Sequence, residues 1–155
     1  MSAAALPNIS SDLVWEIVRN NNSFFAKSKK NGGVQLSRDP LNLTNKASRK
    51  HAGFVNEKAV GVQTNGEKGI ILTTKRASAA NKPAKSEITS TITSTQRKTY
   101  QSVANVAAKN NYRADLRSAA VERASAIRKS QRPVKADPEP KLRGKKKAAA
   151  AAEEN

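Results

Sequence analysis

Residues 58–76 read KAVGVQTNGEKGIILTTKR, two aliphatic runs on either side of a turn. Ala59-Val60-Gly61-Val62 and Gly69-Ile70-Ile71-Leu72-Thr73-Thr74 are short, β-branched and bounded by breakers, which predicts two strands. Asn65-Gly66 lies between them, and this dipeptide accepts the positive backbone angles of a hairpin turn, here in a loop of about four residues. Lys75-Arg76 end the hairpin, and Phe54-Val55 before it is a further short run of the same β signal. An antiparallel hairpin is therefore the centre from which the rest of the fold is read.

After the hairpin, residues 77–85 are Ala, Ser, Asn, Lys and Pro, and Pro83 argues against regular structure around it. Ile88-Thr-Ser-Thr-Ile92-Thr alternates weakly and reads as an edge strand or an extended arm. A helix is predicted over residues 95–109, where Tyr100, Val103, Ala104 and Ala107 share one face. Asn110-Asn111 stops it. A second helix spans about residues 114–131, with Leu116, Ala120, Ala124 and Ile127 on its apolar face. Asp115 falls in its first turn, where the helix dipole favours an acid, and Pro133 closes it. At 100° per residue Arg117, Arg128 and Arg132 fall on one adjacent face with Lys129 beside them. The two helices form an αα-hairpin.

Before the hairpin, residues 11–19 form a short helix capped by Ser11 or Asp12, with Leu13, Val14, Ile17 and Val18 at helical spacing. Trp15 reads as a core anchor, with base stacking as the alternative. Phe24-Phe25-Ala26 opens a strand, Gly32-Gly33 marks a turn, and residues 37–50 read as a loop that packs poorly and needs external contacts. The fold class is α+β: a small antiparallel sheet with an N-terminal helix, a C-terminal αα-hairpin, long basic loops and a disordered C-terminal tail. The organisation is a lead over residues 1–10, one module over residues 11–134, and a basic, Ala-rich tail over residues 135–155.

The chain carries 29 Lys and Arg against 12 Asp and Glu, a net charge of +17 on 155 residues, and every stretch beyond residue 22 is net positive. Repulsion at that density opposes compaction unless a polyanion supplies counter-charge, and nucleic acid is the natural one. Leu, Ile, Val and Phe make up 28 of the 155 residues, so the core is small. With no cysteine there is no disulfide framework and no cysteine zinc site, which fits a reducing compartment. Met1–Pro7 lacks the basic region of a signal peptide, and no apolar run is long enough to span a membrane. The N-x-[ST] triplets at Asn8, Asn21 and Asn42 read as chance matches.

No catalytic constellation appears. His51 is the one histidine and lies in a basic loop without a carboxylate partner, so it reads as exposed or facing a phosphate. Gly66-Glu-Lys-Gly69 lacks the form of a phosphate-binding loop, and its likeness to the GXXG of a KH domain fails because it joins strands and not helices. No segment offers the aromatic octamer of an RNA-recognition motif. The remaining mode is electrostatic: Arg forks and Lys point charges on phosphates, with no metal and no cofactor.

Three segments carry a resemblance. They are Val14-Trp15-Glu16-Ile17-Val18-Arg19-Asn20 leading to Ser23-Phe24-Phe25; Lys58-Ala-Val-Gly-Val62 with the strand ending Lys75-Arg76; and Lys109-Asn-Asn-Tyr112-Arg-Ala-Asp-Leu-Arg117, continuing to Ser130-Gln-Arg-Pro-Val134. Together they resemble the eukaryote-specific large-subunit ribosomal protein 28 family over about residues 11–134. The departures are the N-terminal lead, the loop over residues 31–38, the tail, and Ala114 where family members often have Pro. The resemblance implies a structural component of the cytosolic 60S subunit. Its partners would be large-subunit ribosomal RNA and neighbouring ribosomal proteins, with passage through the nucleolus for assembly and no membrane or small-molecule substrate. The RNA contacts are expected at Lys27, Lys29, Lys30, Lys46, Arg49, Lys50, Lys75, Arg76, Arg97, Lys98, Arg113, Arg117, Arg123, Arg128, Lys129 and Arg132. The alternative is a chromatin-associated basic protein of linker-histone logic, suggested by the Lys- and Ala-rich residues 141–152. A membrane-surface helix is disfavoured, because bulky apolar residues are missing opposite the basic face.

Overall fold

The computed structural model describes residues 9–27, 30, 32–79, 82–137 and 143–144. Strands β1 (Phe25–Ala26) and β2 (Leu36–Ser37) make a small antiparallel pair. The main sheet follows the predicted hairpin: β3 (Val60–Thr64) pairs antiparallel with β4 (Ile70–Lys75), Val62 facing Leu72 and Thr64 facing Ile70. Gly66 takes φ +56° in the connecting turn, a value glycine reaches without a Cβ penalty. β5 (Glu87–Ile92) pairs with the other side of β4, so β4 is central and β5 is an edge, as Ile88–Thr93 suggested.

The two-residue period of the strands puts Val60, Val62, Ile70 and Leu72 on one face, each no more than 2% exposed. On that face pack α3 (Gln96–Ala108) and α4 (Arg117–Ser130), the expected αα-hairpin. Val103, Ala107, Leu116, Ala120 and Ala124 are buried beneath them, and the small alanines let the helices lie close to the sheet. Burial of each large aliphatic side chain here stabilises the fold by about 1.5–3 kcal/mol. The helices are joined through a 3₁₀ turn over Lys109–Asn111, in which Asn110 and Asn111 adopt φ +55° and +51°. Asparagine tolerates that region through local hydrogen bonding. A second 3₁₀ turn, Ala114–Leu116, leads into α4.

The segment after β2 departs from its reading as a poorly packed loop. Ser37, Asp39, Leu41, Asn42 and Leu43 are all buried. A Cβ placed on Gly61 would lie 2.7 Å from the Pro40 carbonyl oxygen, while Leu43 joins the main core, so the segment wraps the β3 edge. Its polar groups are satisfied internally, which makes burial affordable in the free-energy sense. The Asp39 carboxylate accepts from Leu41 N at 2.9 Å and Phe54 N at 3.0 Å. Asn42 donates to Lys46 O at 2.8 Å and accepts from Thr44 N at 3.1 Å.

Four other expectations are corrected. Phe54-Val55 is part of a turn, because His51 N and Ala52 N bond Ser48 O, and Val55 N and Asn56 N bond Ala52 O, instead of a strand. Pro83 starts a one-turn helix, α2 (Pro83–Ser86), at the first position, where its missing N–H is not needed. Helix α1 (Ser11–Val18) is capped by Ser10, whose Oγ accepts from Leu13 N at 3.2 Å, and not by Ser11 or Asp12. No residue of α1 is fully buried, Ile17 is 70% exposed, and Trp15 is half-buried outside the core. The helix is held instead by polar contacts, with Arg49 bonding Asp12 Oδ1 at 2.8 Å and Ser11 Oγ at 2.7 Å. Most of the tail expected over residues 135–155 lies outside the described residues.

Candidate nucleic-acid interface

The cations named from the sequence divide into two groups by what their heads touch. One group is turned inward. Arg123 on α4 donates from Nε to Val62 O at 2.7 Å and from Nη1 to Leu43 O and Asn45 Oδ1, both at 3.1 Å. Arg113 donates to Lys58 O at 2.8 Å and Lys50 O at 3.0 Å, and forks onto the Asp115 carboxylate at 2.8 Å. That hydrogen bond holds the Asp115 carboxyl below its ordinary range, so the acid serves Arg113. Lys75 Nζ donates to Phe54 O at 3.3 Å and Asn56 O at 3.1 Å, and burial lowers its pKa. Arg49 bonds Asp12, Ser11 and Asn56. These side chains close the molecule with charge-assisted bonds to carbonyl, carboxylate and hydroxyl oxygens of the chain itself.

The other group points outward. Lys30, Lys46, Lys50, Arg76, Arg97, Lys98, Arg117, Lys129 and Arg132 are exposed, and Lys27 lies exposed with its Nζ 6.0 Å from the Phe25 ring centroid. Lys29 lies outside the described residues. Arg117 shares a shallow depression with Tyr100, Gln101 and Ala104 of α3, three turns of helix from Arg128. His51 is half-buried with Nδ1 2.9 Å from Ser48 Oγ; desolvation first, then Lys50 and Arg113, lower its pKa.

One concavity brings Arg128 and Arg132 together with a residue not singled out from the sequence, Lys68. It is a cleft of ≈ 740 Å³ between the β3–β4 turn, the start of α3 and the end of α4. Gln131 fixes its walls: Gly69 N donates to Gln131 Oε1 at 3.0 Å, and Gln131 Nε2 donates to Gly69 O at 2.7 Å. The legible signal for Lys68 was its place in a hairpin tip, which is exposed by construction. Lys58, half-buried with Nζ 5.9 Å from the Tyr112 ring centroid, was also missed. Among the described residues no three His, Cys, Asp or Glu side chains gather to hold a metal ion, and no helix is long and apolar enough to cross a membrane.

Comparison with known proteins adds to this geometry. Residues 13–130 match the model of the Ribosomal L28e protein family. The chain is 43% identical over 130 residues to the large ribosomal subunit protein eL28 of Schizosaccharomyces pombe, covering 83% of this chain and 97% of the relative. It is 34% identical over 129 residues to the protein of the same name from Dictyostelium discoideum, covering 82% and 92%. It is 45% identical over 74 residues to that from Trypanosoma cruzi, covering 48% of each.

Proposed function

The chain belongs to the Ribosomal L28e protein family, and on that premise we propose that it is a structural constituent of the cytosolic large ribosomal subunit. It binds large-subunit ribosomal RNA through its outward-facing Lys and Arg, abuts neighbouring ribosomal proteins, and supports translation without a catalytic role. Assembly takes it through the nucleolus. The observation that carries this reading is the dispersal of the exposed cations. Among the described residues they leave the chain from the loop before β2, the loop after it, the end of β4, α3 and α4, so no single element collects them. A ligand that meets all of them surrounds the protein, as a folded RNA does and a single duplex groove does not.

The test is sedimentation and binding. The chain co-sediments with large subunits through a moderate salt wash. Free, it loses affinity for structured RNA on the order of 10³-fold or more between 50 and 200 mM salt if 6–10 phosphates are contacted. Recovery in the soluble fraction alone would overturn the reading, as would tighter binding to duplex DNA than to structured RNA.

A further inference from the structure

We propose that the cleft between the β3–β4 turn and the end of α4 binds the phosphodiester backbone of one RNA strand. The proposal rests on the RNA-binding reading above and adds the place where a single strand lies. Three cations converge on the cleft from two elements: Lys68 from the turn, and Arg128 and Arg132 from the end of α4. Among the described residues Glu67 is the one acid along its wall. The local balance among these residues is positive, in a concavity of ≈ 740 Å³.

Arg128 makes the site selective for an anion. Its half-buried guanidinium is held by neutral oxygens, Nη1 on Gln131 Oε1 at 3.1 Å and Nη2 on Ser94 O at 3.3 Å. Its Nε is buried without a hydrogen-bond partner among the described residues. Among the described residues no carboxylate pairs with it, and a partly desolvated cation held only by neutral oxygens pulls on an anion more strongly than one in bulk water. The walls are also fixed in advance. Gln131 bonds both the N–H and the carbonyl of Gly69, and Gln96 Oε1 accepts from Arg132 Nη2 at 2.7 Å. Little ordering is left for the ligand to impose. Among the described residues no aromatic side chain lines the cleft, so they offer bases no stacking platform and the phosphates are what it recognises.

The experiment uses the full chain and a short labelled oligouridylate, which forms no duplex. Lys68→Ala with Arg132→Ala, both exposed positions, lowers the slope of log affinity against log salt by about 1.4, the value for two lost single-strand phosphate contacts. The melting temperature stays at the wild-type value. Lys46→Ala with Lys50→Ala removes equal charge from exposed positions that do not line the cleft and lowers the slope less. An equal effect of the two pairs, or an unchanged slope in the first, overturns the cleft while the wild-type chain still binds RNA. Failure of the wild-type chain to bind any RNA overturns instead the reading beneath it. Displacement of the strand by polyglutamate of equal charge as well as by unlabelled oligouridylate assigns the cleft to acidic peptide and also overturns the proposal.

Discussion

Arg123 Nε and the Val62 carbonyl oxygen lie 2.7 Å apart, tying the middle of α4 to the middle of β3. The same guanidinium reaches Leu43 O, so one side chain joins helix, sheet and the wrapped segment. Burial lowers the pKa of Arg123, yet arginine stays charged in water at any physiological pH. Arg123→Ala strands two carbonyl acceptors and costs about 2–3 kcal/mol of stability. Arg117→Ala, on the same helix but exposed, stays within about 0.5 kcal/mol of wild type. Urea unfolding of the two variants side by side decides the matter; coincident midpoints would show that Arg123 is not the staple its geometry describes.

Tyr112 plays a neutral version of that part. Its hydroxyl is 2.7 Å from Lys75 O and 3.2 Å from Ala59 O, bridging the end of β4 and the start of β3. It has one proton, and the shorter contact takes it. Burial raises its pKa, so the donor is intact across the physiological range. Tyr112→Phe keeps the ring and loses the bond, at about 1 kcal/mol, and the loss shows as a lower thermal midpoint. A midpoint equal to wild type would mean that water replaces the hydroxyl without cost.

His51 sets a pH dependence with a definite sign. Its folded-state pKa lies below the ordinary 6.5 because of desolvation, then Lys50 and Arg113. Below 6.5 the unfolded chain takes up a proton that the folded chain resists, so stability falls as pH drops from 6.5 toward the folded value. Above 6.5 both states hold the neutral ring and the term vanishes. In His51→Gln this part of the acid slope is gone, whereas the loss at lower pH, where Asp115 protonates and its bond to Arg113 weakens, remains. Urea midpoints measured from pH 5 to 8 test it; a wild-type midpoint that rises on acidification would contradict the sign.

The fold was legible where local pattern and tertiary packing agree. The short aliphatic runs of residues 59–62 and 69–74 and the helical spacing of Val103, Ala107, Ala120 and Ala124 mark the buried elements directly. Residues 37–50 were illegible because polarity predicts exposure, and Asp39 and Asn42 instead use their polar atoms to bury their own segment. Trp15 misled in the opposite direction: a large apolar ring suggests a core, but α1 is attached by Arg49, a contact 37 residues away in the chain. The interface suffers from the same blindness. Charge is visible in sequence, but whether Arg113 and Arg123 face solvent or a carbonyl depends on pairings more than 50 residues apart.

The wrapped segment also yields a prediction that separates lack of space from backbone strain. A Cβ on Gly61 would stand 2.7 Å from Pro40 O and 3.1 Å from Leu41 Cδ2, and the first of these is backbone that cannot swing aside. Gly61→Asn therefore forces the Asp39–Leu43 cover off the sheet, at about 1–3 kcal/mol or more. Gly66 has the opposite problem: nothing lies within 4 Å of its Cβ position, but its φ is +56°. Asparagine adopts that conformation readily, so Gly66→Asn costs a few tenths of a kcal/mol, while the bulkier β-branched Gly66→Val costs about 1–2 kcal/mol. Because the loosened cover leads into the loop bearing Lys46 and Lys50, Gly61→Asn also exposes residues 44–50 to limited proteolysis and Gly66→Asn does not. Equal unfolding midpoints for the two asparagine variants, with identical proteolytic patterns, would mean that the segment over residues 39–43 does not press on β3 as the geometry requires.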